Sequence, residues 1–215
     1  MNGFDMMTAT GHLRRELNLR YDGIAMAPRF SFFKRPVMNT KPYKDITLAD
    51  AYAYITSDYA KADTAMLRRL VDAKARRTYK AMHFDHCTFA GSFARRAEDG
   101  LLQPSGLLCA DIDHLPDVER CFDLLVNDDI IDLMLLFRSP SGDGLKAVIA
   151  IDLSEAPFAD YFTAMSRYMQ RAYGIGIDAA CKDICRTCFL PYDPNAYINP
   201  SMIISHEEQA PFSHP

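Results

Sequence analysis

The sequence predicts an α+β fold, a sheet carrying helices on one face, and two features of the chain lead there. Three short apolar runs, Leu107–Ile112, Ile131–Phe137 and Leu145–Ile151, have the length and composition of buried strands. Helical segments interleave with them in the order strand–helix–strand–strand–helix. At 215 residues the chain can bury one substantial core, or two small lobes packed together.

Taken in order, residues 1–28 have weak periodicity and are expected to form a loosely held arm. Arg29 to Val37 reads as a strand ended by Pro36. Thr47-Leu-Ala-Asp50 resembles a helix-capping arrangement, with Asp in place of the usual Glu, ahead of Ala51–Ile55. Lys61 to Lys80 is expected as one helix with a stripe of Met66, Leu70 and Ala73, and with Arg69, Arg76 and Lys80 on another face. Pro116 to Val126 fits a helix with proline in its first turn. Pro157 opens a further helix whose stripe is Phe158, Phe162, Met165 and Met169, and Gly174 ends it. Residues 201–215 are left as a tail.

Hydrophobic content of 49% and charged content of 24% are those of an ordinary folded protein. No run approaches the ~20 apolar residues that cross a bilayer, and Met1–Arg20 lacks the apolar core of an export signal. The expectation is a soluble cytoplasmic protein whose six cysteines are reduced thiols. Charge is unevenly spread. Residues 1–100 hold 17 Lys and Arg against 11 Asp and Glu, and residues 101–215 hold 7 against 17. The basic half suits a nucleic-acid backbone and the acidic half suits cations, although a solvated surface explains either.

Three segments carry candidate chemistry. Asp111 and Asp113 end a buried strand two residues apart, so their carboxylates are expected on one face. Mutual repulsion there is relieved by a hard divalent cation, Mg²⁺ or Mn²⁺; the plainer reading is a strand end whose acids cap the next helix. Ser139-Pro-Ser141-Gly142-Asp-Gly144-Leu-Lys146 is hairpin chemistry, and its small residues and lysine also suit phosphate oxygens. Asp178 either supplies a third carboxylate or caps a short helix, and Arg186 either clamps phosphate or pairs with an acid.

Together these segments resemble the archaeo-eukaryotic primase and primase–polymerase superfamily, with Asp111 and Asp113 matching its first motif and Ile177-Asp178 its third. Lys146 stands where that superfamily usually has a histidine. A closer resemblance is to the N-terminal domain of VirE-type (virulence-associated E) proteins of phages and mobile elements. It runs through Thr88–Phe93 with Arg96, Ser105–Leu115, Ser139–Lys146 and Asp178–Asn199, covering roughly Arg29 to Pro200. The resemblance implies a two-lobed primase–polymerase-like fold: a basic helical lobe over about 29–100, and a small RRM-like sheet carrying the active site over about 101–200. It implies two-metal nucleotidyl transfer, with Asp111, Asp113 and Asp178 holding Mg²⁺ or Mn²⁺. Ser139, Ser141, Gly142, Gly144, Lys146 and Arg186 would meet a nucleoside triphosphate. Arg69, Arg76, Lys80 and Arg96 would track a DNA template or primer. Domains of that kind often precede a helicase-like ATPase; with no P-loop in this sequence, the resemblance implies a fragment of a longer chain, a stand-alone version, or such a partner in trans.

Three rivals remain open. An inactive nucleic-acid-binding or regulatory module would keep the fold, and Lys146 keeps that reading alive. A phosphatase of the haloacid-dehalogenase kind also uses Asp-x-Asp, but it wants Thr or Val where Leu115 stands, and a late acidic pair. Cys181, Cys185 and Cys188 have the spacing of a radical-enzyme iron–sulfur loop, yet they come too near the end of the sequence for a barrel to follow. Zinc, with His206 as a fourth ligand, has poor spacing, so three buried or half-buried free thiols are expected.

Overall fold

The computed structural model describes residues 27–202, and the fold is α+β. The 1–28 arm and the 201–215 tail, with His206, lie almost wholly outside the described residues. The chain runs β1 (Phe30–Phe33), β2 (Lys44–Ile46), α1 (Leu48–Thr56), α2 (Lys61–Arg69) and α3 (Ala73–His83). Then come β3 (His86–Thr88), β4 (Gly91–Phe93), β5 (Leu101–Pro104), β6 (Leu107–Ile112) and α4 (Val118–Val126). It closes with β7 (Leu133–Arg138), β8 (Leu145–Ala150), α5 (Phe158–Tyr173), β9 (Cys188–Phe189) and β10 (Tyr197–Ile198). One four-stranded sheet has the order β2-β1-β3-β9, a second has β10-β7-β8-β6, and β4 pairs with β5.

The second sheet is buried on both faces, which is why its strands read as unbroken apolar runs rather than as an alternation. Leu108, Ala110, Ile112, Leu145, Ala147 and Ile149 face α4 and α5, packing with Cys121, Leu125, Phe162, Met165 and Met169. The opposite face, through Leu107, Leu135, Phe137, Val148 and Ala150, meets Phe30, Phe32, Cys87 and Cys188 of the first sheet and Ala51 and Ile55 of α1. Helices therefore cover one face, as the element order predicts, while a second sheet and α1 cover the other. Leu108 is fully buried, and its truncation to alanine would cost about 2–5 kcal/mol.

The order β6-α4-β7-β8-α5, with β8 between β6 and β7, gives the first three strands of an RRM-like sheet. The fourth strand departs from that plan: β10 flanks β7, not β6. Residues 29–100, expected as a helical lobe, also contribute three strands to the first sheet, and β9 returns from far along the chain to complete it.

Local signals hold at several ends. Thr47 and Asp50 form a reciprocal capping box at α1. Gly174 takes φ 67 after Tyr173, a left-handed C-cap that a side chain would strain. The helix expected over Lys61–Lys80 is instead two. Leu70 is extended at ψ 129, and Asp72 caps α3 by accepting from the Ala75 N–H at 2.7 Å. An aspartate that offers its oxygen to free N–H groups starts a new helix more readily than it continues an old one. The stripe shifts accordingly, because Thr64 and Leu67 are buried while Met66 and Ala73 are exposed. Pro116 stands outside α4, whose N-cap is Asp117.

Candidate metal and phosphate site

Alternation along β6 sets the site. Leu107, Cys109 and Asp111 share the face that meets the first sheet, and Asp111 is the residue at which that apolar face ends. Its partner in register is Lys146 on β8. The two side chains form an ion pair that is mostly buried, 13% and 11% exposed respectively. Burial pushes the Asp111 carboxyl up to about 6; Lys146 opposes that shift and Asp113 adds to it. Burial works against the charge on Lys146, yet Asp111, together with the Cys188 and Cys109 sulfurs, outweighs it and holds the ammonium above the usual lysine range.

Asp178 arrives from a distant part of the chain. Its backbone N–H donates to the Asp111 carbonyl at 2.8 Å, knitting the segment after α5 to the end of β6. One carboxylate oxygen accepts from Ala180 N at 3.0 Å, capping the short 3₁₀ helix Ala179–Lys182, and the other accepts from Arg186 at 2.7 Å. Both structural roles open to Asp178 and Arg186 are thus taken up. Cys181 follows one turn later and is buried. Ligand atoms of Asp111, Asp178 and Cys181 all lie within 4.8 Å of one another. Asp113 lies outside that trio, exposed beyond the last residue of β6, where His114 takes φ 56 and turns the chain away.

Asp111 Oδ1 tests whether this donor set suits a cation. It is buried and accepts no hydrogen bond, and a buried oxygen left without a partner is unfavourable unless something else meets it. Asp178 and Cys181 supply the remaining donors. The fit is to a single cation, and that cation would compete with Lys146 and Arg186 for the carboxylates. The Cys181 thiol, pushed up to about 12 by burial, would have to lose its proton to join.

The Ser139–Gly144 turn serves chiefly to dock the basic helices. A Cβ on Gly144 would lie 2.3 Å from the Ile112 carbonyl oxygen, so only glycine lets the turn close against the end of β6. Ser139 N donates to the Gly144 carbonyl at 2.8 Å, and Gly142 N to the Ser139 carbonyl at 2.9 Å. Arg68 reaches the carbonyls of Ser139 and Pro140, and Arg76 that of Ser141. Ser139 is buried, and Ser141 and Gly142 are half-buried. Of the six residues expected to meet a triphosphate, Lys146 and Arg186 reach the carboxylate site directly. They line one narrow pocket with Phe89, Asp111, Cys181 and Thr187.

Of the four residues expected at nucleic acid, Arg69 is exposed on α2. Arg76 holds the turn. Lys80 is half-buried, and burial with Lys146 beside it pulls it below the ordinary lysine range while Asp113 and Asp111 support its charge. Arg96 is a strut, donating to Thr187 Oγ1 at 2.5 Å and the Val37 carbonyl at 2.7 Å.

Sequence reading missed four things here. Cys181 sits three residues after Asp178, a helical spacing that could have placed it. Cys109 is two residues before Asp111 on a strand, so the alternation already implied a shared face. Arg68 lies one residue from the assigned basic face. Asp193 had no local signal at all: it is buried, and its carboxylate accepts from Arg138 N at 2.7 Å and from the Arg138 guanidinium at 3.2 Å. Cys181, Cys185 and Cys188 do not converge as a trio of ligands.

Among the described residues no helix is long and apolar enough to cross a membrane. Comparison with curated proteins and with solved structures gives no match. A family model for the BT4734-like N-terminal domain matches residues 79–198, from the end of α3 through every residue of the carboxylate site to β10. With more than half of its length matched, the chain belongs to the BT4734-like N-terminal domain family, a family related to VirE N-terminal domains.

Proposed function

We propose that this domain handles nucleotide phosphates beside a nucleic acid, as a metal-dependent nucleotidyltransferase of the primase–polymerase kind. The observation that carries the reading is the meeting of Asp111 with Asp178 across a long stretch of chain, with one Asp111 oxygen buried and unpartnered. Asp111 and Asp178 would hold Mg²⁺ or Mn²⁺ through their hard oxygens, with Cys181 beside them and Asp113 as the further carboxylate of the motif. The bound ion would supply charge stabilisation at a phosphoryl group. Lys146 and Arg186 would turn from the carboxylates to phosphate oxygens as the ion took their place. Lys80 would add a third positive charge. Arg69, Lys74 and Arg77, exposed on α2 and α3, would follow a DNA backbone. A helicase-like ATPase as partner belongs to the same proposal.

One observation favours the second reading, a non-catalytic binding module: the direct Asp111–Lys146 pair already neutralises the carboxylate that a metal would need. Titration calorimetry separates the two. A nucleoside triphosphate is added with Mn²⁺, without it, and with Mn²⁺ to Asp111→Asn. Metal-dependent binding that the variant loses supports nucleotidyl transfer and justifies primer-synthesis assays. Binding of DNA with indifference to Mn²⁺ and to Asp111 would establish the module instead.

A further inference from the structure

Three cysteines, distant in sequence, meet where the two sheets face one another. Cys87 on β3 and Cys188 on β9 are opposite in register, and Cys109 on β6 comes from the other sheet. The Cys109 thiol donates to Cys188 Sγ at 3.9 Å. Cys109 and Cys188 also line the narrow pocket that contains Asp111 and Lys146, whereas Cys87 does not. A small oxidant entering that pocket meets two sulfurs already aimed at one another.

We propose that Cys109 and Cys188 are an oxidisable dithiol, a modification site for hydrogen peroxide or a comparable small peroxide, whose disulfide closes the carboxylate pocket. Cys188, once it has given up its thiol proton, attacks a peroxide oxygen as thiolate. The O–O bond breaks, Cys188 becomes a sulfenic acid, and hydroxide leaves to take up a proton as water. Cys109 then attacks the Cys188 sulfur, the S–O bond breaks, and a second water departs with the Cys109 proton. Two electrons pass from the sulfurs to the peroxide, and a dithiol reductant returns them by exchange. A disulfide has an S–S bond of about 2.05 Å, so closure draws the sulfurs together by roughly 2 Å. That movement pulls β9 towards β6 on the wall of the pocket holding Lys146. The loss of nucleotide binding that should follow rests on the reading proposed above.

Full-length protein is treated with hydrogen peroxide, its remaining thiols are alkylated, and the unreduced digest is mapped by mass spectrometry. Two of the six thiols should disappear, and a linked pair of peptides carrying Cys109 and Cys188 should form. It should be abolished in Cys109→Ser, retained in Cys87→Ser, and reversed by a dithiol. Recovery of Cys109 and Cys188 as free thiols, or a bond from Cys188 to Cys87, overturns the proposal. Triphosphate binding with Mn²⁺ is then compared before and after peroxide. Loss in the wild type but not in Cys109→Ser supports closure, and binding unchanged by the disulfide overturns that part. If the reduced protein binds no triphosphate, the functional reading fails, while the peptide map still decides the dithiol.

Discussion

Two buried ion pairs sit on the second sheet, and they are built differently. Arg138, the last residue of β7, meets Asp193 with both carboxylate oxygens engaged, and its guanidinium extends to Glu119 on α4. Asp193 also caps its own turn by accepting from Asn195 N at 3.2 Å. Asp111, near the end of β6, meets Lys146 with one oxygen and leaves the other bare. The first is a closed account of donors and acceptors, the second an open one. Buried charge that is fully met holds a fold together. Buried charge held short of satisfaction is what a binding site requires, because a ligand gains most where a group awaits a partner.

The most severe way to break that contrast is Asp193→Ala. The variant strips Arg138 of its buried counter-charge and frees its backbone N–H, leaving only the exposed Glu119. Breaking a buried pair from one side costs about 3–5 kcal/mol, read as a lower midpoint in urea unfolding. A loss of under about 1 kcal/mol would mean that Arg138 is served by Glu119 and solvent, and the two pairs would no longer differ in kind.

The Asp111–Lys146 pair should respond less, and in a way that exposes its purpose. Asp111→Asn and Lys146→Met each leave one group without its partner, whereas the double variant removes both. A double-mutant cycle should give a coupling on the order of 2 kcal/mol, with the double variant more stable than the less stable single one. Additive effects would show that the pair contributes no coupling to the fold.

Much of this contrast was legible in the sequence, and the illegible part has a physical cause. Alternation in Leu107–Asp111 placed Asp111 on a definite face, and the capping signals at Thr47 and Gly174 were realised, because each depends on a few adjacent residues. The single helix over Lys61–Lys80 failed because Asp72 caps better than it continues a helix. Lys146 was assigned to phosphate, and its registry with Asp111 was out of reach, since cross-strand pairing depends on the whole sheet. Asp193 was invisible for the same reason, its partner lying 55 residues away. The Ser139–Gly144 turn was read correctly as a hairpin. That its carbonyls anchor Arg68 and Arg76 depends on how α2 and α3 fold back over it.

Lys146→Met sharpens the comparison further, in binding rather than stability. If the lysine occupies Asp111 in place of a cation, its removal should tighten Mn²⁺ binding by about tenfold, equivalent to about 1.4 kcal/mol. Triphosphate binding should weaken at the same time, for want of the ammonium. Calorimetry with Mn²⁺ alone, then with triphosphate at saturating Mn²⁺, reads both. If both affinities fall together, Lys146 supports the site by position rather than competing within it.

The smallest effect separates the nucleic-acid surface from both pairs. Arg69 is exposed at the C-terminal end of α2 and close in sequence to Arg68, which is engaged with the Ser139–Pro140 carbonyls. Arg69→Ala should leave unfolding free energy within about 0.5 kcal/mol of the parent. Its effect should be on DNA: weaker binding across all sequences, and a dependence of log affinity on log salt shallower by about one counterion. Arg68→Ala makes the matched contrast, because it should loosen the turn behind the carboxylates and lower stability as well. An unchanged salt slope in Arg69→Ala would take α2 out of the DNA path and leave Lys74 and Arg77 of α3 as the basic surface.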